Sequence, residues 1–224
     1  MNVSVVFPYR GTTEDRKRAF RYLYDHMETM LPGAEIVVAD DGSSTFSRAG
    51  SRNKGVREAT NDIVIVCDAD SIPQERPVLE AVESAYNNRL HLPYTHFLSL
   101  SREHSGKVLQ GGARPLAGKP QFVTTNSVGG VLVMTKDAYF AVGGQDEGFE
   151  GWGGEDVAFA FACEALLGPH VRHSGHLYGL WHKSDMDQRS KQYKTNIERQ
   201  NLYKRYRKDP DGMRQLLMNL NVAL

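Results

Sequence analysis

Two cysteines in 224 residues are too few for a disulfide framework. Cys67 falls in an apolar run and Cys163 in a stretch of helical spacing, so both read as small buried hydrophobes. No run approaches the roughly 18 apolar residues of a membrane-spanning helix. The opening MNVSVVFPYR lacks the basic region and apolar run of a signal peptide. Charge of one sign is not in excess either: 27 Lys and Arg face 27 Asp and Glu. No global field therefore argues for nucleic acid or an anionic surface as partner. Internal repeats, low-complexity stretches and a clean linker are also missing. These absences leave a soluble, cytoplasmic protein as the expectation, and 40% hydrophobic residues suffice for a real core.

What is present begins with alternation. Val3 to Phe7 reads as a buried strand ending at Pro8. Thr12 to Leu31 follows with Phe20, Leu23, Met27 and Met30 at helical spacing, opened by a capping-box-like Thr12-x-x-Asp15. EIVVA, residues 35 to 39, predicts a second buried strand, and Ser47 to Thr60 a helix. IVIVC, residues 63 to 67, predicts a third strand, with Pro77 to Asn87 helical after it. This order implies an α/β fold: a mostly parallel, Rossmann-like sheet with helices on both faces.

The second half is less regular. Ser99 to Pro120, rich in Gly, Ser and Lys, reads as a mobile loop that orders over a ligand. Gly129 to Thr135 predicts a strand and Lys136 to Val142 a short helix. Asp187 to Lys208 predicts a basic helix, with eight Lys and Arg against two acids, either a solvated face or a contact for an anion. The chain thus reads as one domain spanning residues 1–224. Within it, 1–98 and 99–185 form two halves and 186–224 a C-terminal helical extension.

In parallel sheets ligands gather at the carboxyl ends of the strands. Those ends read PYR, DDGSS and DAD. Asp68 and Asp70 form a strand-end D-x-D, a turn device or a site for a hard divalent cation that keeps positions open for phosphates. Asp40 fits a ribose or base edge; Arg10 and Arg52 fit phosphate charge. His182, in LYGLWH, is either a satisfied structural histidine or a distant metal ligand. His170, His173 and His176 are spaced like helical zinc ligands, but Pro169 and Gly175 argue against a helix there.

FEGWGGEDVAFAFA, residues 149 to 162, places Glu155 and Asp156 at the start of a helix behind a glycine-rich loop. The acids there satisfy free N–H groups and suit the macrodipole, which should lower their pKa. Trp152 asks for more than a cap, because an indole between glycines has few local neighbours. An exposed indole beside a carboxylate holds a sugar ring, apolar face on the indole and hydroxyls on the acid.

Taken in order, these segments resemble the GT-A glycosyltransferases, which use nucleotide-sugar donors. VVFPYR, VVADDGSS and SRNKGVREATNDIVIVCDAD resemble glycosyltransferase family 2. VGGQDEGFEGWGGEDVAFAFA and LWH resemble the β-1,4-galactosyltransferases and the polypeptide N-acetylgalactosaminyltransferases. The match covers most of residues 3 to 185, with none beyond. It implies Pro8, Arg10, Asp40, Arg52, Asp68 and Asp70 around the donor. It implies Asp70, His182 and Asp68 around Mn²⁺ or Mg²⁺, and Trp152, Gly153, Gly154 and Glu155 toward the acceptor. Asp156 would be the general base, assisted by Glu155, in an inverting transfer from a UDP-sugar. The retaining N-acetylgalactosaminyltransferases typically carry Asn after the Glu, where this chain has Asp156. Besides that retaining mechanism, two rivals stand: a sugar-1-phosphate nucleotidyltransferase, which wants more glycine than FPYRGTTED offers, and a non-catalytic nucleotide-sugar-binding module. The acceptor is open: a glycan, a protein or another hydroxyl-bearing molecule.

Overall fold

The computed structural model describes residues 2–112, 114–115, 118–183, 188–220 and 222. Its centre is a six-stranded sheet. β1 (Val3–Pro8) lies between β2 (Glu35–Ala39) and β3 (Ile63–Cys67), parallel to both. The register pairs Pro8 with Ala39 and Val6 with Val66. Beyond β3 the sheet continues through β8 (Val131–Thr135), β5 (His91–Leu92) and β9 (Val171–Arg172). β8 runs antiparallel to both its neighbours. β1, β3 and β8 are buried along their whole length, as continuous apolar strands inside a covered sheet must be. β2 departs from the expected burial: it is the edge strand, and Val38 is largely exposed.

α1 (Glu14–Met30) packs Ala19, Leu23, Met27 and Met30 on the core, one face of a 3.6-residue period. Its cap is Thr13, whose hydroxyl accepts from the Arg16 amide, rather than the expected Thr12. α2 (Arg48–Glu58), capped by Ser47, lies so close to β1 that a Cβ on Gly55 would overlap Val6. That approach carries Arg52 under the sheet's carboxyl edge. α3 (Glu75–Ser84), ending in a 3₁₀ turn at Ala85–Asn87, follows the short β4 (Ser71–Pro73).

A second sheet was not foreseen. β4, β10 (His176–Gly179), β6 (His96–Ser99) and β7 (Phe122–Thr124) pair in that order. Strands this short show no periodicity of their own. The expected loop from Ser99 is also partly regular. α4 (Arg102–Leu109), capped by Ser101, buries Ser105 and Val108. Ser105 Oγ accepts from the Trp181 amide at 2.8 Å, tying α4 to the chain after β10. α5 (Lys136–Ala141) follows β8 directly, and α6 (Glu155–Leu166) buries Ala158, Phe159, Ala162 and Cys163 in the core. α7 (Lys191–Tyr206) and α8 (Pro210–Asn219) close the chain, α7 packing on α6. Asp187, the expected start of the basic helix, lies outside the described residues, and the described helix begins at Lys191.

Candidate active site

Because β1, β2 and β3 run parallel, PYR, DDGSS and DAD emerge on one edge of the sheet. Arg10 meets Asp40 through two N–H groups, Nε to Oδ2 at 2.7 Å, and its guanidinium also lies 3.5 Å from Asp41. The Arg10 hydrogen bond, helped by the Gly42 amide, lowers the Asp40 carboxyl to about 2. Pro8, Arg10, Asp68, Asp70 and His182 line a small pocket of about 50 Å³. Sequence reading missed Arg16 and Arg48, which line it as well. On paper their surroundings, DRKR and a helix start, look like solvated surface.

The D-x-D divides its two carboxylates between different partners. Asp70 Oδ2 faces His182 Nε2 at 3.0 Å. Burial works against the charge on Asp70, but His182 outweighs it and holds the carboxyl below its ordinary value; the same bond raises His182. The other ring nitrogen, Nδ1, lies 3.0 Å from the Lys183 carbonyl and donates to it. In the neutral ring this fixes the tautomer that turns the Nε2 lone pair toward Asp70, the arrangement in which histidines ligate metals. A pair of ligands at about 2.1 Å from one octahedral cation, at right angles, stands about 3 Å apart, so the pair fits a divalent ion. Asp68 lines the same pocket, and its Oδ1 accepts from Arg52 at 2.7 Å. Among the described residues no cluster of three His, Cys, Asp or Glu forms a ready-made cage.

Arg52 was expected to meet phosphate. Instead it is 4% exposed and held beneath the edge, between Asp68, Gln145 Oε1 at 2.8 Å and Glu155 at 3.5 Å. Gln145 is presented by Asn53, whose amide donates to the Gln145 carbonyl at 2.7 Å and whose Oδ1 accepts from the Gln145 N–H at 2.8 Å. This polar network was illegible in sequence because Arg52 and Asn53 lie more than 90 positions from Gln145.

The WGGED segment folds as its glycines demand. Gly151, Gly153 and Gly154 all have φ between 68° and 99°, which a side chain would strain. Gly154 is the N-cap of α6. Glu155 is buried, with its carboxylate 3.5 Å from Arg52, and still lines the cleft described below. Asp156 lies under Gly129, where a Cβ would overlap its carboxylate. Its Oδ1 accepts from the Val157 amide at 2.8 Å. The expected lowering of its pKa by the helix start is overturned. Burial first, and the charge of Glu155 second, push Asp156 up to about 6 against the pull of Arg52.

A cleft of about 770 Å³ joins these parts. Asp70, His182 and Arg48 stand on its shared wall with the small pocket, and Asp156, Trp152 and Phe122 further along it. Trp152 is 42% exposed and stacks on Tyr193 of α7, with ring centroids 5.7 Å apart. The three spaced histidines form no common site. His173 lies 3.0 Å from His91 and 3.7 Å from Glu80, while His176 turns to Tyr178. Cys67 and Cys163 are buried and free.

Two family models match the chain, one described as glycosyl transferase family 2 over residues 45–104, the other as the N-terminal domain of galactosyltransferase over residues 117–162. Among curated proteins, β-1,4-galactosyltransferase 4 of Cricetulus griseus is 25% identical over 163 residues, 69% of this chain and 40% of its own length. β-1,4-Galactosyltransferase 3 of Homo sapiens is 26% identical over 162 residues, 68% of this chain and 35% of its own length. The chain therefore spans well under half the length of the curated relatives it matches. Among solved structures, a variant of Drosophila β1,4-galactosyltransferase 7 in complex with manganese, UDP-galactose and xylobiose superposes with a TM-score of 0.57 at 17% identity. That match covers 87% of this chain and 78% of the other. The fold is that of the GT-A glycosyltransferases. A second GT-A structure, glucosyl-3-phosphoglycerate synthase of Mycobacterium tuberculosis with Mn²⁺, UDP-glucose and phosphoglyceric acid, superposes at 0.55 with 13% identity, covering 92% of this chain and 79% of that one. Both halves of the resemblance drawn from the sequence thus find matches, over residues 45–104 and 117–162, within one GT-A fold. Among the described residues no helix is long and apolar enough to cross a membrane.

Proposed function

We propose that the protein is a metal-dependent, inverting glycosyltransferase that moves a sugar from a UDP-sugar to an acceptor hydroxyl, with Asp156 as general base. The observation that carries this reading is one cleft lined both by the Asp70–His182 pair and by a carboxylate raised to about 6. A base of that pKa is ionised at neutral pH yet basic enough to take a proton in the transition state.

Residues 1–98 bind the donor, with Pro8, Arg10 and Asp40 beside the nucleoside and Asp68 near the ribose. Arg16 and Arg48 meet diphosphate charge. A divalent cation, Mn²⁺ or Mg²⁺, held by Asp70 and His182 would neutralise charge on the departing diphosphate. Residues 99–185 receive the acceptor: Trp152 takes a sugar ring on its open face, and Gly153 and Gly154 let the chain approach it. Asp156 accepts the hydroxyl proton as the acceptor oxygen bonds to the anomeric carbon, and the diphosphate leaves with the bonding pair. Arg52, holding Glu155 and Asp68, keeps two further carboxylates from raising Asp156 higher still. A cytoplasmic setting belongs to the same reading and rests on composition.

The test is a donor-hydrolysis screen over UDP-, GDP- and TDP-sugars with and without Mn²⁺, followed by NMR of the product linkage. Mn²⁺-dependent UDP-sugar turnover and an inverted anomeric centre are expected. A retained configuration would remove the need for Asp156 as base, and no turnover or binding of any nucleotide sugar would sink the enzyme reading.

A further inference from the structure

Both matched family segments end before α7, and the motifs of the resemblance stop there too. Yet α7 reaches into the site. Asn196 is 1% exposed, and its Nδ2 donates to two carbonyls of the tryptophan loop, Glu150 O at 2.8 Å and Trp152 O at 3.2 Å. On its other side Asn196 Oδ1 accepts from Gln192 at 3.1 Å. Both loop partners are acceptors and Gln192 donates, so the amide has one satisfied orientation. The carbonyl between them, Gly151 O, is taken from the opposite side by Arg48 at 2.9 Å. Three consecutive carbonyls are thus clamped, alternately, by α7 and α2.

Sterics agree with the hydrogen bonds. A Cβ on Gly153 would lie 3.1 Å from the Tyr193 ring, and one on Gly154 would lie 3.3 Å from the Asn196 carbonyl. Tyr193 stacks on Trp152 and covers one face of the indole, leaving the other to the cleft. α7 is itself anchored. Arg199 donates to Asp146 at 2.6 and 2.8 Å, and Tyr203 at 2.7 Å, onto a carboxylate that is 5% exposed. Residues 193, 196, 199 and 203 share one face of the helix, so the anchor and the clamp move as a unit.

We infer that Asn196 is the positioning residue of the tryptophan loop, setting the plane on which Trp152 receives the ring of a glycoside acceptor. The inference rests on the glycosyltransferase reading for its substrate class. The chain has two tryptophans, so Trp181→Phe leaves Trp152 as its sole indole. In that background, acrylamide quenching reports exposure of Trp152, and titration with the methyl β-glycosides of xylose, glucose, galactose and N-acetylglucosamine reports ring binding. Asn196→Ala should increase quenching and weaken the tightest glycoside about tenfold, the worth of one aromatic contact. In transfer assays it should raise acceptor KM while UDP-sugar hydrolysis without acceptor is unchanged. Val78→Ala, a core truncation in α3, serves as a destabilised control and should move neither readout. If Asn196→Ala fails to fold, Gln192→Ala, at an exposed position, removes only the amide's orienting donor and should shift quenching the same way. Unchanged quenching, an equal effect of Val78→Ala, or no glycoside binding by the parent would each overturn the inference. Calorimetry of UDP and Mn²⁺ on the same protein tests the glycosyltransferase reading separately.

Discussion

At the scale of single residues, Asp156 separates a catalytic role from a capping role. Asp156→Asn keeps shape and the bond from the Val157 amide but cannot accept a proton. Transfer should fall about 10²- to 10⁴-fold, the weight of general-base catalysis, while nucleotide binding persists. Stability should move the other way. The folded-state pKa, about 6, lies above the ordinary 3.8, so the ionised form is disfavoured by folding. That cost is absent below about pH 4, where the group is protonated in both states. It grows between pH 4 and 6 and is complete above. Asp156→Asn should therefore stabilise the protein at pH 7.5 by about 1–3 kcal/mol and lose that gain by pH 4, as paired urea titrations would show. The same pKa, that of the free protein, predicts that kcat/KM falls below about pH 6 and is flat from 7 to 8. A transfer rate independent of pH from 5 to 8 would remove Asp156 from the role.

At the scale of elements, α2 matters most, because it holds Arg52 between the D-x-D and the acidic pair. Arg52→Met would leave Asp68 and Glu155 without their buried counter-charge. Breaking a buried pair on one side costs about 3–5 kcal/mol, so this variant should unfold at markedly lower urea, and loss of less than 1 kcal/mol would show that the pair is not buried in solution. The helix also depends on Gly55. Gly55→Ala would force α2 away from Val6 and should cost about 1–3 kcal/mol, read by the same titration. Neither cost could be anticipated from helix propensity, which favours Ala over Gly.

For the whole molecule, the decisive prediction is coupling between the two halves through His182. Mn²⁺ with UDP should raise Tm, EDTA should reverse the rise, and the shift should grow with ligand concentration. His182→Ala should abolish the Mn²⁺-dependent part of the shift, because it removes one of the two protein groups that face each other there. A normal shift in that variant would leave His182 a structural residue.

The sequence by itself determined the local chemistry. Continuous apolar strands had to be buried in a sheet, and glycines at positive φ had to form the Trp152 loop. The alternation of strands and helices placed PYR, DDGSS and DAD at one edge. These are short-range consequences of periodicity and of backbone sterics. The tertiary structure decided what depends on distance along the chain: that β2 is an edge, that strands of two to four residues build a second sheet, and that α4 replaces much of a supposed loop. It turned Asp68 to Arg52 and Asp70 to His182, and laid α7 against the tryptophan loop. It also reversed the expected shift of Asp156. A helix start favours an ionised carboxylate, but burial beside Glu155 outweighs it, and burial is a property of the packed chain, not of the residues on either side.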